Sequence, residues 1–246
     1  SAYFLPMRYT GNGSGNNPRA ITNDGNSDLS PDLIWIKERS SSSSHRVVDS
    51  SRGGTKGLSP DADGGEETAN FITFGASDGF TLTDYNGGTN QDTITYVAYQ
   101  WKANGGTKVT FTESGDNPAG THQANTTSGV SVVTYTGTGG AGTVAHGMGK
   151  VPQMIWTKRL DDGEDWVCYH SFIGTNNIFR MNTTDSPSGL DGSSYWNDTT
   201  PTTTVFTLGS GDAANGNDRS QVAYCFANVQ GFSKFGGYVG NGNTDG

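Results

Sequence analysis

The chain repeats itself over most of its length, and a repeat restricts the fold more than any single residue does. MRYTGNG at residues 7–13 returns as VTYTGTG at 133–139, which matches Tyr9 with Tyr135. PDLIWIKER from Pro31 returns as VPQMIWTKR from Val151, matching Pro31 with Pro152, Trp35 with Trp156 and Lys37 with Lys158. SHRVVDS from Ser44 corresponds to DWVCYH from Asp165, DGFTLT from Asp78 to TVFTLG from Thr204, and TYVAYQWK from Thr95 to QVAYCFA from Gln221. Val47 then pairs with Val167, Phe80 with Phe206, Leu82 with Leu208, Tyr99 with Tyr224 and Trp101 with Phe226. Offsets between matched residues run from 120, for Val47 and Val167, to 126, for Tyr9 and Tyr135. Each copy must therefore close its own core with about 100 residues, the size of one sandwich domain.

The boundaries follow. Residues 1–106 form the first repeat and 107–127 a Gly/Thr-rich connector, in which KVTFT at Lys108 to Thr112 can be read as one more strand. Residues 128–230 form the second repeat. In 231–246, YVGNG from Tyr238 to Gly242 restates YTGNG from Tyr9 to Gly13, so this stretch reads as the first strand of a third repeat or a strand that completes a neighbouring sheet.

Short β-branched and aromatic patches with period-two alternation, punctuated by turn residues, predict strands near 5–10, 32–38, 46–49, 70–74, 80–84 and 94–102. In the second repeat they fall near 130–136, 152–159, 166–170, 177–181, 203–208 and 221–228. The fold class is all-β, two tandem antiparallel β-sandwich modules of jelly-roll-like type. Alternation places Val97, Tyr99 and Trp101, and likewise Val222, Tyr224 and Phe226, toward the core. Trp35 and Trp156 sit in the more continuously apolar runs expected of central strands.

Composition supports this reading and closes off other classes. Glycine contributes 37 of 246 residues and hydrophobic residues only 31%, which excludes long helices and coiled coils. No apolar run approaches the roughly 20 residues of a membrane-spanning helix. The 26 aromatic residues, 11 Phe, 10 Tyr and 5 Trp, argue for a packed fold rather than disorder. Nucleic acid is not an expected partner, because 24 acidic residues outweigh 15 basic ones and no basic stripe is present. No signal peptide is visible at the start, SAYFLP.

Sites are sparse. In DADGGEE, Asp61, Asp63 and Glu66 alternate with small residues as calcium-loop ligands do, although the twelve-residue pattern is incomplete and a solvated turn is the plainer reading. DDGED at Asp161 to Asp165 is similar. Glu38, Asp49, Glu66, Glu67 and Asp78 are the carboxylates from which a glycosidase pair would be drawn, but no pair recurs in the second repeat. The histidines, 45, 122, 146 and 170, do not align between repeats, and the glycine strings lack the features of a phosphate loop. Cys168 and Cys225 replace Val48 and Gln100 of the first repeat and read as strand residues, with a bridge between them as the alternative. Asn12, Asn125, Asn182 and Asn197 head Asn-x-Ser/Thr sequons of a kind this composition produces by accident. No catalytic residue and no cofactor are expected. Tyr195, Trp196 and Asn197 in GSSYWND, and Tyr85 and Asn86 at another loop tip, stand outside the strand pattern and are the candidate glycan contacts, since aromatic faces stack on sugar rings.

PDLIWIKERSSSSSHRVVDSSRGGTKGL, SDGFTL and TYVAYQWKANGG together resemble a repeated domain of tail-fibre-like and other structural proteins of tailed bacteriophages, marine phages especially. The resemblance spans both repeats, and GFSKFGGYVGNGNTDG is similar to that family's lead into a further copy. It implies a virion surface protein, assembled in the host cytoplasm with other virion proteins. It also implies a homo-oligomer, often a trimer in fibres, that adheres to host cell-surface polysaccharide. Alternatives are a spacer or decoration protein that binds no ligand, and a glycan depolymerase. The second repeat departs from the family pattern at VPQMIWTKRLDDGEDW and at Phe226 in place of Trp101, so the two copies share a scaffold rather than a binding surface.

Overall fold

Eighteen strands and two four-residue helices make up a computed structural model that describes residues 1–13, 18–83, 88–187 and 191–243. Strand accounts for 38% of the described residues and helix for 3%, and the sheets are antiparallel, so the fold is all-β and sandwich-like. In chain order the first nine strands are β1 (Phe4–Thr10), β2 (Arg19–Ile21), β3 (Leu33–Glu38), β4 (Arg46–Asp49), β5 (Lys56–Leu58), β6 (Glu67–Thr68), β7 (Ile72–Thr73), β8 (Phe80–Leu82) and β9 (Thr95–Trp101). There follow β10 (Val109–Phe111), β11 (Gly120–Asn125), β12 (Val130–Thr136), β13 (Gly142–Ala145), β14 (Pro152–Arg159), β15 (Val167–His170), β16 (Phe179–Arg180), α1 (Ser193–Trp196), β17 (Val205–Leu208), α2 (Asp212–Asn215) and β18 (Ser220–Ala227).

The duplication is visible in the topology. A six-stranded sheet runs β1-β9-β3-β4-β5-β6 and a seven-stranded sheet β10-β11-β12-β18-β14-β15-β16, so the order β1-β9-β3-β4 is restated by β12-β18-β14-β15. A small sheet, β2-β8-β7, is echoed by β13-β17. Individual hydrogen bonds recur as well. The Tyr9 hydroxyl donates to the Thr89 carbonyl and the Tyr135 hydroxyl to the Ala214 carbonyl, both at 2.7 Å. The backbone N–H groups of Asn12 and Thr138 donate to the side-chain oxygens of Asn90 and Asn215.

Core membership orders the sheets into layers. Ile34, Ile36, Tyr96 and Ala98 from the six-stranded sheet pack with Ile21, Ile72, Phe80 and Leu82 from the small sheet. Ile155, Ala223 and Cys225 pack with Val144, Phe206, Leu208 and the helical Trp196, Ala213 and Ala214 on the far side. A third core joins Leu33, Val47 and Leu58 to Val130, Val132, Trp166, Val222, Tyr224 and Phe226, so the two large sheets lie face to face. Each large side chain buried there contributes about 1.5–3 kcal/mol.

That middle layer corrects the expected facing of β9. Tyr96, Ala98 and Gln100 are the residues buried toward the first repeat's own core, and Val97, Tyr99 and Trp101 lie on the opposite face. The buried Gln100 amide nitrogen donates to the Asn23 side-chain oxygen at 2.6 Å, while its Oε1 has no hydrogen-bond partner among the described residues. In β18 the expected residues Val222, Tyr224 and Phe226 are buried, but against the other sheet, while Ala223, Cys225 and Ala227 fill the second repeat's own core. β3 and β14 are central strands, as the continuous apolar runs predict.

The stretch 107–127 contains β10 and β11, and β11 pairs along its whole length with β12. Among the described residues of 231–243 there is no strand: Tyr238 is 92% exposed and Val239 85%. Cys168 and Cys225 are both free and buried. Cys168 is the cross-strand partner of Trp156 and Cys225 of Ile155, so the two thiols occupy opposite faces of one sheet and cannot bridge.

Candidate functional site

Most of the residues nominated from the sequence are drawn into structure. Trp196 closes α1 and is 1% exposed, packed edge-on against Tyr169 at 5.8 Å in the second repeat's core. It is a core residue and not a glycan contact, because the GSSYW segment folds into a helical turn rather than a loop. Tyr195 is half-buried against the same core. Asn197 is exposed and caps the turn in a left-handed conformation at φ 47°. Tyr85 and Asn86 lie outside the described residues.

The calcium candidates are not assembled either. The Asp61 carboxylate accepts the His45 backbone N–H, the Asp63 carbonyl accepts the Glu164 backbone N–H, and Glu66 is paired with Arg52 and Lys56. Among the described residues no group of three or more His, Cys, Asp or Glu is placed to hold a metal ion. The acidic loop instead docks the two repeats, since the Glu66 N–H also donates to the Leu160 carbonyl at 2.8 Å. The other carboxylates have structural partners: Asp49 with Arg52, Glu67 with Arg46, Glu38 with the Tyr96 hydroxyl, and Asp78 with Asn23 and the Leu29 N–H.

A different constellation appears where the large sheets meet. Trp35 and Trp156, matched by the repeat, meet edge to face at 5.5 Å across the layer. Trp156 lies 4.6 Å from Phe226, Phe226 lies 6.1 Å from Trp101, and Trp101 lies 5.2 Å from Phe4 and 6.4 Å from Tyr99. The aromatic band reaches solvent because β1 and β9 form one side of the six-stranded sheet, where Tyr99 is left 40% exposed and Phe4 38%. Cross-strand pairing of Phe4 with Trp101 and of Pro6 with Tyr99 puts all four on one face.

Two clefts open onto this band and share Trp101. One, of about 320 Å³, is lined by Trp35, Lys37, His45, Val97, Tyr99, Trp101 and Trp156. The other, of about 300 Å³, lies between Tyr3, Phe4, Trp101 and Phe226 on one side and the Phe232 to Phe235 turn on the other. Together they match the general form of a ligand site, an apolar concave surface with a few fixed polar groups. The Trp35 indole N–H donates to His45 Nδ1 at 2.7 Å, which leaves the proton of the neutral ring on Nε2 as a donor. Burial holds the His45 pKa below its ordinary value, with Asp61 opposing and Lys37 adding to the effect. None of the described residues lining either cleft is Asp or Glu, so the surface offers stacking faces and donors rather than the carboxylate pair of a glycosidase.

Period-two reading did single out Tyr99 and Trp101 but assigned them to the core. The signal that would have separated them is the packing of the two large sheets, which buries β18 from Gln221 to Ala227 but leaves Tyr99 of β9 exposed.

No curated protein and no solved structure matches the chain. A protein-family model does match, over residues 1–246, both repeats and the segment after them, and the chain therefore belongs to that family, described as "Domain of unknown function (DUF7483)".

Proposed function

We propose that this protein is a surface-displayed binding module that holds polysaccharide against the aromatic seam between its two large sheets. The observation that carries the reading is the run of Trp35, Trp156, Phe226, Trp101, Tyr99 and Phe4, continuous from buried to exposed and opening into two clefts. Exposed aromatics grouped at a cleft mark interaction surfaces, and Trp and Tyr are the side chains that contribute most when truncated. The resemblance to repeated domains of phage structural proteins supplies the setting, a virion surface where host polysaccharide is the partner. Homo-oligomerisation and several copies per particle would there raise a modest single-site affinity.

The test is a binding screen of the full chain on host surface polysaccharides, with reducing-end release measured in the same wells. Binding without release, lowered about tenfold by Tyr99→Ala, is the expected result. Release of reducing ends assigns the depolymerase role instead, and no binding favours the spacer.

A further inference from the structure

We infer that the ligand of the seam is an acidic polysaccharide, one whose sugars carry carboxylate or sulfate groups. The inference rests on the binding role proposed above and concerns the charge of the ligand. The chain has a net charge of −9, yet the described lining of the two clefts has no carboxylate and includes Lys37 and Lys234. Lys37 lies two residues beyond Trp35 on the same face of β3, and its ammonium donates to the Glu38 and Ser43 carbonyls, both at 3.0 Å. Those are neutral acceptors, which hold its charge in place. Arg8 pairs across β1 and β9 with Val97, which puts it on the face of Tyr99 and about 7 Å along the strand from Pro6, the partner of Tyr99. Among the described residues Arg8, Lys37 and Lys234 form no salt bridge, as is also true of Arg19, Arg39, Lys102, Lys108, Lys150, Lys158 and Arg219, so what sets the three apart is their place beside the aromatic seam. Two carboxylates stand at this end and each is engaged elsewhere: Glu38 accepts the Ser43 N–H and the Tyr96 hydroxyl, and Asp61 accepts the His45 backbone N–H.

An aromatic floor with unpaired cations at its rim fits a sugar ring that presents an apolar face and an acid at its edge. The overall negative charge does not prevent this, since at physiological salt charges beyond about 8 Å are screened and the local cations decide.

The experiment compares polygalacturonate, alginate and chondroitin sulfate, each with its charge-neutralised derivative, in binding to the full chain. The acidic member of at least one pair should bind about tenfold tighter than its neutral form and weaken between 50 and 300 mM salt. Lys37→Gln with Lys234→Gln should reduce that preference in a protein that keeps a cooperative thermal transition, and Tyr99→Ala should weaken both members. Equal or tighter binding of the neutral forms, or no salt dependence, overturns the charge inference and leaves the seam a binding site. Absence of binding in all three pairs overturns both. Self-association of the protein alone that Tyr99→Ala abolishes assigns the seam to a second copy and also overturns both.

Discussion

Tyr224 of the second repeat donates its hydroxyl to Asp49 of the first at 2.7 Å, inside the layer that joins the two large sheets. Arg52 completes the contact: its Nε donates to the same carboxylate oxygen at 2.7 Å and its Nη2 to the Tyr224 oxygen at 3.0 Å. Burial opposes the guanidinium charge, but Asp49, Tyr224 and Glu66 outweigh it and hold the Arg52 pKa above the ordinary arginine value. The repeats are thus fastened by a satisfied polar network as well as by apolar packing.

Tyr224→Phe keeps the ring and removes the shared hydroxyl, leaving Arg52 Nη2 without its acceptor. The expected loss is about 1–3 kcal/mol, read as a lower urea midpoint with an unchanged slope. A loss below about 0.5 kcal/mol would show that the network contributes no more than an ordinary surface contact.

Trp196 and Tyr99 should separate stability from binding. Trp196→Ala removes a side chain that is 1% exposed and should cost about 3–5 kcal/mol without changing affinity at the seam of the remaining folded protein. Tyr99→Ala should leave the unfolding midpoint within about 0.5 kcal/mol of wild type while weakening polysaccharide binding. The reverse pattern would return the site to the GSSYW segment.

The contrast shows where sequence reasoning stops. Strands were legible where β-branched and aromatic residues alternate, and 130–136 and 152–159 coincide with β12 and β14. β5, β11 and β13 were not, because KGL, GTHQAN and GTVA carry turn-like or small residues and hold their place by pairing with the more apolar strands β4, β12 and β17. The candidate site failed for a related reason. A lone Tyr-Trp outside the strand pattern looks exposed until a helical turn buries it, whereas Tyr99 looks buried until the second sheet is seen to reach Trp101 and stop short of Tyr99. Which face of a strand is covered depends on the packing of the repeats against each other, and no local pattern records that.

Lys158, matched by the repeat with Lys37, is 0% exposed and donates to the Arg159 and Asp162 carbonyls. Burial pushes its pKa down to about 8, against opposing pulls from Glu164, Asp162 and Asp63. Below pH 8 both states are protonated and the cost of the buried charge is constant. Between about 8 and the ordinary lysine value near 10.4 the unfolded state binds more protons, so this group adds stability as pH rises. The buried thiols of Cys168 and Cys225, raised by burial, act in the opposite sense once the unfolded thiols ionise near pH 8.5. Comparison with Lys158→Met isolates the lysine: from pH 7 to 9 the wild type should gain about 1 kcal/mol relative to the variant by denaturant titration. Parallel pH profiles would mean that Lys158 is not desolvated.

The Tyr-x-Gly-x-Gly segment occurs three times, and its first glycine meets different surroundings in each. A Cβ on Gly11 would come within 2.0 Å of the Gln91 carbonyl oxygen, and one on Gly137 within 2.3 Å of the Gly216 carbonyl oxygen. At both positions the obstacle is backbone, tied by the bonds from the Gly11 N–H to Ile94 and from the Gly137 N–H to Arg219, each at 2.8 Å. Around Gly240 nothing lies within 4 Å. Gly11→Ala and Gly137→Ala should therefore each cost about 1–3 kcal/mol through forced displacement of the adjoining turn. Gly240→Ala should stay within about 0.5 kcal/mol of wild type. Thermal denaturation of the three single variants decides the matter. A Gly240→Ala loss as large as the other two would show that the third segment is packed like the first strand of a repeat, with partners that hold its glycine as tightly as those of Gly11 and Gly137.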